Sequence, residues 1–167
     1  MMKPTLIAAA LSVGILSLNA AYATTAHKHA APHGASMDMH EEHASVMGKP
    51  GNPAKVTRTM TVDMNDNMRF SPEKISIKKG ETIKFIVKNS GRIKHEMVLG
   101  SPQEIKEHAE MMKKMPGMEH ADANMVVVDP GKTGEVIWQF NKAGQFDFAC
   151  LQPGHLEAGM RGKIAVK

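Results

Sequence analysis

The chain has 167 residues, 42% of them hydrophobic, which suffices for one packed domain or two small ones. Its 21 Lys and Arg against 17 Asp and Glu give a formal charge of +4, and with no long basic run and 4% aromatics that excess does not describe a nucleic-acid binder. One Cys rules out an internal disulfide, a four-thiolate zinc site and a cysteine-held iron–sulfur cluster within one chain, while 15 Met and 9 His are a surplus of metal-binding side chains.

The first segment reads as an address. Lys3 is followed by a mostly apolar run from Leu6 to Ala20, and Ala21-Tyr22-Ala23 has the A-x-A form of a signal-peptidase site. Residues 1–23 are therefore expected to be a cleaved signal peptide and the periplasm the destination. The apolar run is shorter than the roughly 20 residues that span a bilayer, so no stable membrane insertion is expected after cleavage. In an oxidising compartment a lone thiol is reactive unless buried or bound to metal, which makes Cys150 informative.

Residues 24–55 are rich in Ala, His, Met, Gly and Pro. Large apolar side chains other than Met are almost missing, so burial cannot offset ordering entropy and the segment is expected to be disordered. It contains His27, His29, His33, His40 and His43, with Met37, Met39 and Met47 among them. Imidazole suits copper, zinc and nickel, and thioether sulfur favours Cu(I), so these histidines are candidate auxiliary copper ligands.

After the Pro50-Gly51-Asn52-Pro53 linker signal the pattern becomes that of a β protein, and residues 56–167 are expected to form the folded domain. Val56 to Val62 reads as a strand. Ile75 and Ile77 alternate, Lys79-Gly80 turns, and Ile83, Phe85 and Val87 alternate again. Met60, Met64 and Met68 are assigned to ordinary packing. His95, Met97 and Leu99 share one parity on the next strand. Alternation turns Glu96 to the opposite face, where it is expected to be solvated; beside a metal its charge would favour the more oxidised ion and lower the reduction potential.

Ser101-Pro102-Gln103-Glu104 is a capping box with proline at the first helical position, opening a helix to about Met115 before Pro116-Gly117. Met111 and Met115 fall on one face of it, and with Met118 and His120 just beyond they form a second candidate copper-binding group, weighed against a plain hydrophobic or docking flank. Strands resume at Met125–Val128 and Val136–Phe140, then Phe146, Phe148 and Cys150 alternate, and Ile164 and Val166 mark the last strand. About seven short strands with Gly/Pro turns describe a small all-β antiparallel sandwich with one inserted helix.

Between the last two strands lies Cys150-Leu-Gln-Pro-Gly-His155-Leu-Glu-Ala-Gly-Met160, a C-x4-H-x4-M run. Joined by a second histidine from another strand, for which His95 is the best candidate, it supplies two imidazoles, one thiolate and one thioether, the ligand types of a type 1 copper site. The run resembles the ligand loop of the cupredoxins, the plastocyanin, azurin and rusticyanin superfamily. Its spacing is similar to rusticyanin, and with the His/Met-rich leader the chain resembles periplasmic copper-tolerance cupredoxins of the CopI type. That resemblance covers about two thirds of the chain. It implies a Greek-key β-sandwich, one copper ion cycling between Cu(I) and Cu(II), and His95, Cys150, His155 and Met160 as its ligands. It also shows a departure, since many cupredoxins follow the first histidine with Asn or Ser and this chain has Glu96.

Two functions fit. The first is copper tolerance, by binding, sequestering or transferring copper, with further ions on the His/Met-rich segments and a copper-export component as partner. The second is an electron carrier between periplasmic redox proteins. A leader with five histidines and three methionines has no evident use in a simple carrier and favours the first. An enzyme is not expected: multicopper enzymes need further ordered histidines, and beyond His95 and His155 the domain has only His108 and His120.

Overall fold

Residues 45–115 and 121–167 are described in a computed structural model. They form strands β1 (Gly48–Pro50), β2 (Arg58–Asn65), β3 (Arg69–Ser71), β4 (Lys74–Ile77), β5 (Thr82–Asn89) and β6 (His95–Gly100), then helix α1 (Pro102–Lys114), then β7 (Met125–Val128), β8 (Thr133–Phe140), β9 (Gly144–Ala149) and β10 (Arg161–Val166). One sheet runs β1-β8-β5-β2-β3 and the other β4-β10-β9-β6-β7. The alternating residues point between them: Ile83, Phe85 and Val87 of β5 and Val136, Trp138 and Phe140 of β8 from one sheet, Phe146 and Phe148 of β9 and Ile164 and Val166 of β10 from the other. Phe70 and Phe148 meet edge to face at 4.9 Å and join the two layers.

The sandwich is mixed rather than antiparallel. β2 runs parallel to β5, and β4 parallel to β10. Alternation reports which face of a strand is buried, not which neighbour it pairs with or in what direction, so the parallel pairs were invisible to it. The fold also begins earlier than residue 56. Met47 is fully buried in the core and β1 pairs with β8 through Gly48 and Phe140. A three-residue strand has no periodicity to detect, and Met47, grouped above with the leader's soft donors, is a core side chain. The remainder of the leader, including His27, His29, His33, His40 and His43, lies outside the described residues.

Every residue of β6 is buried. Met97 and Leu99 face the sandwich interior, while the outward-facing Val98 packs with Ile105 of α1, Met125, Ala149 and Leu151 in a second cluster. The helix is capped as expected: Ser101 Oγ accepts from Glu104 N–H at 3.2 Å, and Glu104 Oε2 accepts from Ser101 N–H at 2.6 Å. Ser45 Oγ also donates to Glu104, at 3.2 Å, tying the chain before β1 to the helix start. At the other end Lys113 pairs with Glu157 at 2.7 Å, so α1 reaches the loop between β9 and β10. No helix among the described residues is long and apolar enough to cross a membrane.

Candidate metal centre

Cys150 is the third inward position of the Phe146, Phe148 series, placed just past the end of β9. β6 lies beside β9 in antiparallel register, with Val98 opposite Ala149, so the first residue of β6, His95, reaches the same end of the sandwich. The chain then leaves for a ten-residue excursion made of turns. His155 N–H donates to Gln152 O, Ala158 N–H to Gly154 O and Met160 N–H to His155 O, each at 3.0 Å. Gly154 and Gly159 take φ of 83° and 94°, the left-handed region that glycine enters without steric cost. Cys150 N–H to Met160 O, 3.1 Å, closes the loop at its base.

The outcome is a convergence of three donors. His95 Nδ1 and His155 Nδ1 are 3.2 Å apart, Cys150 Sγ is 3.2 Å from His155 Nδ1, and it is 4.0 Å from His95 Nδ1. These atoms all lie within 4.8 Å of one another. Metal bonds of about 2.0 Å to imidazole and about 2.3 Å to thiolate, at trigonal angles, separate donors by roughly 3.5–3.7 Å. The observed distances straddle that range, so the donor set fits a metal in a trigonal plane. His95, Cys150 and Met160 are fully buried, and His155 is half-buried.

The surroundings also act on the protonation of the donors. Burial pushes the Cys150 thiol up to about 12, against the pull of the Glu96 and Gln152 N–H groups. A metal held by Cys150 would have to displace that proton, since the thiolate is the ligating form. Burial first, and then repulsion from the neighbouring His95 ring, lowers the pKa of His155, the direction that favours the neutral, ligating imidazole.

The surroundings hold these groups in place. Asp66 Oδ1 lies 3.2 Å from His95 Nε2, and the Asp66 carboxylate accepts from Arg92 N–H at 2.8 and 3.0 Å. A carboxylate at Nε2 puts the ring proton there and leaves the Nδ1 lone pair for a metal. That backbone hydrogen bond from Arg92, chiefly, holds Asp66 below its ordinary pKa. Glu96 N–H donates to Cys150 Sγ at 3.4 Å. The Glu96 side chain is buried as well: Oε1 accepts from Leu151 N–H at 2.8 Å and Oε2 from Gln152 Nε2 at 3.0 Å. This overturns the solvated placement expected for it. Parity does turn Glu96 to the outer face of β6, but the inserted helix and the ligand loop cover that face.

A family model for copper binding proteins of the plastocyanin/azurin family matches residues 56–167. The chain belongs to that family. The copper-resistant cuproprotein CopI of Rubrivivax gelatinosus is 47% identical to this cupredoxin over 159 residues, 95% of each chain. The CopI of Vibrio cholerae is 36% identical over 166 residues, 96% of each. Among solved structures, reduced auracyanin from Roseiflexus castenholzii aligns with a TM-score of 0.60 at 20% identity, over 67% of this chain and 98% of its own, a likeness of fold. Copper is accordingly the metal of this cupredoxin.

The structure brings His95, Cys150 and His155 together, with Met160 buried at the far end of the same loop. Met111 and Met115 lie one turn apart at the end of α1, Met111 half-buried and Met115 exposed, while Met118 and His120 lie outside the described residues. Met64 is a core residue and Met60 and Met68 pack against the core, as assigned. Sequence reasoning missed three supports of this cupredoxin's site. Asp66 sits 29 residues from His95, and no local spacing links them. Arg69 Nη1 donates to Ala158 O at 3.0 Å and straps the ligand loop to β3. Asn89 is fully buried, its Nδ2 donating to Ile93 O and Val128 O and its Oδ1 accepting from Gly91 N–H, which shapes the turn leading to His95.

Proposed function

We propose that His95, Cys150, His155 and Met160 hold one copper ion in a type 1 centre, and that the protein serves copper tolerance in the periplasm by binding copper and passing it on. The observation that carries the centre is the convergence of two imidazole nitrogens and one thiol sulfur within 4.8 Å. Two imidazoles and a thiolate in a plane with a weak thioether serve both Cu(I) and Cu(II) with little rearrangement. The tolerance role draws its support from the CopI relatives, which span nearly the whole chain and are named as copper-resistant, and from the His/Met-rich leader. Export is supported by the signal pattern that ends at Ala23.

One observation favours the second reading, an electron carrier without enzymatic activity of its own. The three donors converge at one end of the sandwich with half-buried His155 as their contact with solvent, an arrangement suited to electron exchange at one exposed edge. Deleting residues 24–44, which spares Met47 and β1, separates the two: a copper-handling protein loses tolerance while keeping electron exchange with a redox partner, and a plain carrier keeps both.

For the centre itself, Cys150→Ala is expected to abolish the thiolate-to-copper charge-transfer absorption with the sandwich still folded by circular dichroism. Persisting visible bands in that variant would refute the assignment.

A further inference from the structure

We propose that Asp66 and Glu96 are positioning residues that bracket the ligand set with two carboxylates and set the centre to hold Cu(II) in preference to Cu(I). The inference rests on the type 1 reading above and deepens it.

The two carboxylates reach the donor cluster through different partners. Asp66, in the turn between β2 and β3, meets the far nitrogen of the His95 ring at 3.2 Å. Glu96 lies on the cysteine side, with both oxygens accepting N–H donors from the two residues after Cys150. A carboxylate on the remote nitrogen of a ligating histidine orients the ring and makes it more basic, which strengthens its bond to the more highly charged ion. A carboxylate buried beside a thiolate acts through charge. Its attraction for the metal is larger for a dication than for a monocation, and with only 2% of Glu96 exposed, water screens it little.

Both residues also fix geometry. Glu96 clamps residues 151 and 152 at the start of the ligand loop while its own N–H donates to Cys150 Sγ, so one residue governs the orientation of the thiolate twice. Asp66 is itself held by Arg92 N–H, whose two oxygen contacts at 2.8 and 3.0 Å keep the carboxylate aimed at His95. A residue that merely filled space would position the ligands equally for both oxidation states. A charged one separates them.

The test uses the full mature chain, loaded with copper, in wild-type form and as Asp66→Asn, Glu96→Gln and the double variant, with Glu135→Gln as a remote surface control. Dissociation constants for Cu(II) and Cu(I) are measured by competition with chelators, and the reduction potential by spectroelectrochemistry. Loss of a partner outside the metal's own ligands costs about 10- to 100-fold in metal affinity. The expected result is a loss of about tenfold in Cu(II) affinity in each single variant, with Cu(I) affinity nearly unchanged. The potential then rises by about 59 mV per tenfold change in that ratio for a one-electron couple. The double variant shifts further, and the control stays at the wild-type value. If the charge-transfer bands are retained and the preference for Cu(II) over Cu(I) is unchanged or strengthened in either single variant, the proposal is overturned, whereas missing bands in the wild type would instead overturn the type 1 reading. Should Glu96→Gln fail to fold, Asp66→Asn decides by the same criterion, since Asp66 sits in an exposed turn, and Asp66→Glu is expected to restore the ratio.

Discussion

Replacing Gly162 by alanine tests whether the layer beneath the metal centre is packed as described. Gly162 of β10 sits opposite Phe148 of β9. A Cβ at residue 162 would overlap the Phe148 ring, lying 2.5 Å from both Cε1 and Cε2. The ring has no free space to retreat into: Phe148 is fully buried and held edge to face against Phe70 at 4.9 Å. Relief must therefore come from separating β9 and β10 or tilting the ring into its neighbours. Overpacking of this kind costs about 1–3 kcal/mol. At roughly 4 °C per kcal/mol for a domain of this size, the expected fall in Tm of the metal-free protein is about 4–12 °C by calorimetry. Because Cys150 lies two residues beyond Phe148 on the same strand run, the displacement should also broaden or shift the thiolate-to-copper band in the loaded protein. A Tm within 1 °C of wild type, with an unaltered band, would refute the packing argument.

Two other outcomes follow from the same structure. Met47→Ala empties a fully buried core position and should cost about 2–5 kcal/mol, read by denaturant unfolding. Burial opposes the ionised form of Glu104, but hydrogen bonds from Ser101, Ser45 and Val46 outweigh it and hold the group below its ordinary value of 4.5. Its folded pKa being depressed, the stability it contributes is present above the unfolded value and is lost as pH falls through the folded one. Glu104→Gln should therefore be less stable than wild type at pH 7, and the gap should close on acidification; a gap that does not depend on pH would exclude the carboxylate as its source.

Much of this protein was legible along the chain because the relevant signals are local. The capping box at Ser101–Glu104, the strand Met125–Val128 and the inward series Phe146, Phe148, Cys150 need only a few consecutive residues to be read, and the structure places them as expected. The run from Cys150 to Met160 is equally local, and the structure brings its Cys150 and His155 to one point with His95. His95 came from strand parity and the chemical need for a second imidazole.

What the chain order could not decide concerns which surfaces lie together. The parallel pairing of β2 with β5 and of β4 with β10 depends on how distant strands return, and no residue pattern within either strand encodes it. The seating of Met47 depends on an edge of β8 that its own neighbours do not reveal. Glu96 is the sharpest instance. Its parity was read correctly, but parity says only which face a side chain takes, and whether that face meets water or protein is settled by a helix and a loop contributed from elsewhere in the chain. The amino-acid sequence by itself thus singled out the side chains that the structure brings together, His95, Cys150 and His155, because coordination chemistry is written in residue type and short spacing. Only the tertiary structure decided the charges around them, Asp66 from 29 residues upstream of His95 and Glu96 from a face that had looked open, because long-range proximity is a property of packing.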